Sequence, residues 1–481
     1  MRPLLLRLSG PLAAGAVYLL LRHHGDAPAV MAGVVVWMAL WWITEAMPLA
    51  VTALLPFVLF PLLGIDTVSG TAANYAKEII FLFLGGFVLA LGVERSGLHR
   101  RIALHIVARI GGSPTRLVLG IMLACLVIGM WINSTATTLV MLPIALSLVD
   151  DEEAPVQVRQ RLTIPLLLGV AYGASISGFV TPVATPPNLV FVELWRQWFP
   201  DRPVIGFAQW MSVGLPLALI FLLIGWVVIT RLVFKVGTEP LGDQATVRRR
   251  LAEMGTMSTA ERRMALVFLA VALLWVTGDD LRLGDGPAIP GWRSLLGLQY
   301  LTDTAVAMTG AILLFLIPSG QRGTTRRGDQ LMEWTFAEQR IPWGILLLIG
   351  GGFALAAGVE KAGLAPIIGG AMAGLDSLPP MLLIGAVALI VSMMSELGSN
   401  TATASLALPI LAVIARRWGM DPQSILWPAT LAATLGFSLP VASPMLAIVF
   451  ATGRIPVRNM VSSGIVMDLV GILLLMVFFG W

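Results

Sequence analysis

Uncharged runs close to membrane-spanning length recur from one end of this chain to the other, and they leave few folds open to it. Ala29–Thr44, Pro48–Ile65, Leu162–Val192 and Pro203–Thr230 contain no Asp, Glu, Lys or Arg, and the apolar character of Met460–Met467 resumes after Asp468 and runs to Trp481. A helix crosses the hydrocarbon layer with roughly 20 mostly apolar residues. Only 12% of the residues are charged and 57% are hydrophobic, against about a quarter charged in soluble domains. That is too little polar surface for a water-soluble globule. Leu4–Leu21 is apolar too, but no small-residue cleavage pattern follows it, so it reads as the first span and not as a signal peptide. The expected class is an all-α integral membrane protein.

The sequence pI near 9.6 reflects orientation. With a cytoplasmic N-terminus, eleven spans and two membrane re-entries, 22 of the 31 Lys and Arg fall on the cytoplasmic side. These are Arg2, Arg7, five between Arg95 and Arg116, Arg159, Arg161, and those of the Arg231–Arg263 and Arg322–Arg340 loops, with Arg454 and Arg458. This is the positive-inside asymmetry. It makes Arg248–Arg250 a topology anchor, with no nucleic-acid partner expected, and puts the C-terminus on the opposite side of a cell membrane. The lone Cys125 and the four histidines (His23, His24, His99, His105) show no metal-ligand spacing. No nucleophile elbow, Walker loop or zinc motif is present, so a membrane enzyme is not the expected reading.

The chain also resembles itself. Residues 79–98, IIFLFLGGFVLALGVERSGL, return as 345–364, ILLLIGGGFALAAGVEKAGL, at an offset of 266 positions. The same offset carries Thr135-Ala136-Thr137 onto Thr401-Ala402-Thr403 and Leu142-Pro143-Ile144 onto Leu408-Pro409-Ile410. A third pair, Val183-Ala184-Thr185-Pro186 and Val441-Ala442-Ser443-Pro444, is 258 apart. Similar composition alone does not hold one offset across separate motifs, so this is a duplication. In the topology above its copies run in opposite directions, a construction common in secondary transporters.

Two segments in each half break their helices. Leu117–Val149 is 33 uncharged residues, too long for one span and too short for two. Its centre is Asn133-Ser134-Thr135, between arms of about 15 residues, which predicts a re-entrant helical hairpin. Leu378–Ala415 repeats the plan with Ser399-Asn400-Thr401 at the tip and Glu396 as its single charge. Irregular backbone at membrane depth persists only against protein or a watery cavity, so the two tips are expected to meet near the midplane. The facing walls are the proline breaks Thr181–Asn188, inside 162–192, and Leu439–Pro444, inside 425–450. Freed carbonyls there suit a small cation, and half-helix N-termini suit an anion. Glu94 and Glu360 fall near span ends and are read as structural, whereas Glu45 and Glu396 lie deeper as functional candidates. The expected division is 1–70 as scaffold spans, 71–236 as the first repeat, 237–263 as a basic loop and 264–481 as the second repeat.

WWITEAMPLAVTALLP (41–56), SGLHRRIAL (96–104), GSNTATASLALPI (398–410) and ATPPN (184–188) resemble the divalent anion/sodium symporter family, the INDY-type carriers of di- and tricarboxylates and sulfate. The resemblance covers nearly the whole chain. It implies eleven spans and two re-entrant hairpins, a homodimer, and an elevator movement of a transport domain against a scaffold. It implies no covalent cofactor, with sodium as the coupling ion and a C4-type dicarboxylate as the cargo. The substrate residues it implies are Asn133, Ser134, Thr135, Pro186, Ser399, Asn400, Thr401 and Pro444. Sodium would fall to Asn133, Ser134 and Ala184 in one half, and to Ser395, Gly398, Asn400 and Ala442 in the other.

The first tip departs from the family's Ser-Asn-Thr order, reading Asn133-Ser134-Thr135, and Gly129 stands where sodium-coupled members often carry Ser. The second break departs too, with Met445-Leu446 where the first has Pro187-Asn188. Four other readings stay open at this point: a sodium-independent dicarboxylate exchanger, the same fold carrying citrate or sulfate, an ion channel, and last an intramembrane hydrolase.

Overall fold

In the computed structural model, residues 2–150, 156–237, 245–281, 289–320, 330–371 and 378–480 are described. Over these the chain is helical, and the only β pairing is two isolated bridges, Leu281–Ile289 and Pro318–Gln330. In chain order the principal helices are α1 (Arg2–Leu21), α2 (Asp26–Thr44), α3 (Glu78–Ser96), α4 (Leu98–Ile110), α5 (Pro114–Gly129), α6 (Ser134–Val149), α7 (Val156–Ser177), α8 (Pro186–Trp198) and α9 (Phe207–Val227). The second half supplies α10 (Thr259–Val276), α11 (Asp303–Leu316), α12 (Trp343–Lys361), α13 (Pro380–Leu397), α14 (Asn400–Trp418), α15 (Pro422–Ala432), α16 (Pro444–Phe450) and α17 (Val457–Phe479).

Among the described residues, seven helices are long and apolar enough to cross a membrane on their own, fewer than the eleven spans expected. The difference is physical. α11 is apolar but only 14 residues long; α5, α6 and α14, also short, are arms of the two expected hairpins and not among the eleven, whereas the hairpin arm α13 is one of the seven. α8 is 13 residues long, because its helix is broken before Pro186.

Each segment ends where its sequence says it must. Ser113 caps α5 by accepting from the Arg116 N–H, with Pro114 at the first helical position, where its missing donor costs nothing. Ser258 and Glu261 form a reciprocal capping box at the start of α10. Gly97, at φ 80°, lets α3 stop and α4 start in a new direction.

Corresponding elements of the two halves pack alike. In each half the first hairpin arm lies against the helix preceding the break, α5 on α7 and α13 on α15. The second arms cross between halves: α6 packs on α16, and α14 packs on α8. Two glycines do the same job in both copies. A Cβ on Gly214 of α9 would overlap the Phe179 carbonyl, and one on Gly464 of α17 would overlap the Phe437 carbonyl. Phe179 and Phe437 stand 258 apart, so each break is pressed against a glycine of the following long helix. The N-terminal part forms a separate smaller core, in which Met31, Met38, Trp42 and Phe60 pack on Leu355 and Leu406.

Candidate functional site

The first tip is a helix N-terminus. The chain leaves α5 at Met130, and Asn133 caps α6 with its Oδ1 accepting from the Thr135 N–H at 2.8 Å. Ser134 is buried, and its carbonyl accepts from Thr138 Oγ1 at 2.9 Å. Thr135 reaches the other half, with Oγ1 3.9 Å from Met445 Sδ beside Pro444. Thr181 Oγ1 donates to the Met130 carbonyl, tying the tip to the first break. There the chain passes through a 3-10 turn, Pro182–Ala184, before Pro186 opens α8. Asn188, fully buried, donates through Nδ2 to the carbonyls of Gly178 (2.7 Å) and Thr181 (2.8 Å). These bonds fix the orientation of its amide.

The second tip is tighter. Ser399 caps α14, accepting from the Ala402 N–H at 3.5 Å. Ser395 Oγ lies 2.8 Å from Asn400 Oδ1 and 2.7 Å from the Ala433 carbonyl. A Cβ on Gly436 would be 3.4 Å from Ala442 Cβ and 3.6 Å from Ser395 Oγ. Ser395, Asn400 and Ala442 are thereby gathered round one point of the second break. Gly398, immediately before the tip, is the C-cap of α13, and Thr401 is buried in the first turn of α14. The structure thus gathers Ser395, Asn400 and Ala442 in the second half, while in the first the Thr181–Met130 bond ties the tip to the break that carries Ala184 and Pro186. Thr135–Met445 and the α14–α8 packing join the halves.

Sequence reading missed what holds the second break open. Glu396 accepts from the Ser438 N–H (2.8 Å) and the Leu439 N–H (3.1 Å). Asp468, from α17, accepts from the Phe437 N–H (3.2 Å) and from Ser438 Oγ (2.7 Å). Two carboxylates therefore satisfy three successive residues of non-helical backbone. Of the pair, only Glu396 had been singled out, because Asp468 interrupts an ordinary-looking apolar run. Glu45 sits elsewhere: it ends α2 in the left-handed conformation, φ 47°, and is exposed. Glu94 and Glu360 pair with Arg340 (3.6 Å) and Arg416 (3.9 Å).

Beside the first hairpin lies a cavity of about 990 Å³. Ala136, Val140 and Pro143 of α6 form one wall, and Arg100, Arg249 and Arg250 face it. Nearby, Arg454 makes two hydrogen bonds to Asp150 at the end of α6 (2.6 and 3.1 Å) and holds that carboxyl below the usual range. No group of three His, Cys, Asp or Glu that could hold a metal occurs among the described residues. The oxygens at the tips are hydroxyls, amides and carbonyls, a set suited to an alkali cation and to hydrogen-bonding a carboxylate.

Comparison with known proteins agrees with this architecture. The model of the sodium:sulfate symporter transmembrane region matches residues 16–481. The sodium-dependent dicarboxylate transporter SdcS of Staphylococcus saprophyticus is 34% identical over 475 residues, covering 97% of this chain and 88% of the relative. Its Staphylococcus aureus counterpart is 35% identical over 473 residues, covering 96% and 88%. Among solved structures, the YdaH transporter of Alcanivorax borkumensis aligns at TM-score 0.56 with 17% identity, over 85% of this chain and 86% of that one. MtrF of Neisseria gonorrhoeae aligns at 0.58 with 14% identity, over 86% and 83%. These two show likeness of fold.

Proposed function

Since the chain belongs to the sodium:sulfate symporter transmembrane family, we propose that it is a secondary transporter that carries C4-type dicarboxylates across the cell membrane together with sodium. The observation that carries this reading is the Ser395–Asn400–Ala442 cluster at the tip of the second hairpin, in a chain about a third identical to two sodium-dependent dicarboxylate transporters.

One carboxylate is bound at each tip. At the first, Ser134 and Thr135 offer hydroxyls beside the backbone N–H groups that open α6; at the second, the Asn400 amide and the Thr401 hydroxyl stand at the start of α14. Pro186 and Pro444 start the half-helices opposite. Neither tip motif contains Lys or Arg, and a dianion entering an uncharged apolar site is costly. Sodium at Ser395, Gly398, Asn400 and Ala442, and at Asn133, Ser134 and Ala184, supplies the counter-charge, which makes cation binding before substrate the favoured order. Hairpins and broken helices then move as one body against a scaffold that includes residues 1–70, in a homodimer with cytoplasmic N-termini.

Labelled succinate uptake into proteoliposomes tests this. A sodium gradient is expected to drive accumulation. Uptake indifferent to sodium but dependent on internal dicarboxylate would replace symport by exchange, a reading that the exchanged Asn133-Ser134 order keeps in view.

A further inference from the structure

Position 129 is where the two halves disagree most sharply. By the 266-residue offset Gly129 is the counterpart of Ser395, whose hydroxyl faces the Ala433 carbonyl and Asn400. The first hairpin therefore lacks this hydroxyl in its own sequence. A Cβ placed on Gly129, however, would overlap Ser177 Oγ and lie 2.8 Å from Ser177 Cβ. By the 258-residue offset Ser177 corresponds to Leu435. The hydroxyl has crossed the interface: the second half carries it on the hairpin arm, and the first half carries it on the helix preceding the break.

Two further buried oxygens lack a partner, one at this point and one on a residue bonded to the backbone just after Ser177. Thr137 Oγ1 lies 3.4 Å from the same Cβ position, on a fully buried residue, with no hydrogen bond. Asn188, tied by its Nδ2 to the carbonyl of Gly178 next to Ser177, leaves Oδ1 buried and unbonded. A buried oxygen without a donor costs about 1–3 kcal/mol, and a cation ligated by it removes that cost. Ser177 Oγ itself donates to the Ala174 carbonyl at 2.6 Å, which leaves its lone pairs available.

We infer that Ser177, with Thr137, completes a sodium site at the first hairpin in place of the side chain missing at Gly129, with Asn188 Oδ1 as a third oxygen. This rests on the sodium-coupled reading above and extends it to residues outside the tip motif. The test is sodium titration of succinate uptake and of tryptophan fluorescence in the purified protein, for wild type, Ser177→Ala, Gly129→Ser and Gly129→Ser/Ser177→Ala. Ser177→Ala is expected to raise the half-saturating sodium concentration about tenfold, one ligand's worth of affinity, with the succinate KM at saturating sodium unchanged. Gly129→Ser alone collides with Ser177 and lowers folded yield. The double variant is expected to recover both yield and sodium affinity, because it rebuilds the arrangement of the second half. A Ser177→Ala protein that folds and keeps wild-type sodium affinity overturns the site while leaving symport standing. Wild-type uptake and fluorescence that ignore sodium overturn the coupling itself.

Discussion

Single residues at the second break divide into those offered to ligands and those that keep the backbone in place. Glu396 belongs to the second group, since its two oxygens accept from consecutive backbone N–H groups. Glu396→Ala strands both donors in a partly buried loop, and each costs about 1–3 kcal/mol. The expected result is a melting temperature lowered well below wild type in detergent, with Glu396→Gln intermediate because one oxygen remains. Equal melting of all three would remove Glu396 from this role. Asn400→Ala is expected to act differently. It removes the partner of Ser395 and, in the proposed mechanism, a ligand of both cargo and cation, so uptake is expected to fall at least about tenfold with little change in melting. Full transport by that variant refutes the double role. At this scale the sequence was legible where residue types were unusual for their setting: polar tips and paired prolines inside uncharged runs. Ser177 and Asp468 were not legible, because one serine in a helix and one acid in a span mean nothing until the fold sets them against Gly129 and Ser438.

Elements were easier to read than residues, because the offsets of 266 and 258 report on whole helices. The hairpin 117–149 appears as α5 and α6 with a turn at Met130–Asn133, and 378–415 lies within α13 and α14. The boundaries follow from the charge-free lengths and from caps that the sequence displays, such as Ser113-Pro114. What the pattern did not carry was which helix each arm meets. The crossing of α6 onto α16 and of α14 onto α8 sets against each other helices hundreds of positions apart in the chain. Equally invisible in the pattern is the seat of the second break on α17 at Gly464. Its Cβ position lies 2.3 Å from Ser438 Cα and overlaps the Phe437 carbonyl, so even alanine has to displace backbone. Gly464→Ala is expected to reduce monodisperse protein in size-exclusion chromatography and to lower its melting temperature. Gly86→Ala, where a Cβ meets nothing within 4 Å, is expected to match wild type. Gly464→Ala behaving like Gly86→Ala would show that the break tolerates a shift of α17.

For the molecule as a whole, the question is whether the hairpins and broken helices slide past the remaining helices during transport. The joint between α3 and α8 gives a place to ask. Lys77, the residue before α3, pairs with Glu193 at 3.2 Å, and Arg196 pairs with Glu78 at 3.2 Å. Both pairs link α3, which belongs to neither a hairpin nor a broken helix, to the half-helix after the first break, so a large displacement of one past the other must separate them. The Arg196–Glu78 pair costs little to separate, because both side chains are about a third or more exposed and exposed pairs contribute about 0–1 kcal/mol. Lys77 and Glu193 are 17% and 12% exposed and hold the joint more firmly. Sliding has to break both, and a covalent link across the joint would stop it. The single native Cys125 is buried and does not compete for thiol reagents. In Glu78→Cys/Arg196→Cys, a short thiol-to-thiol cross-linker is expected to abolish succinate uptake while sodium-induced fluorescence changes persist, and each single variant treated alike is expected to transport normally. Sliding predicts loss of transport without loss of binding. A fixed site gated by local rearrangement, or a channel, predicts that flux survives the link. That outcome would leave the fold and the two tips as described and remove the elevator movement from the mechanism.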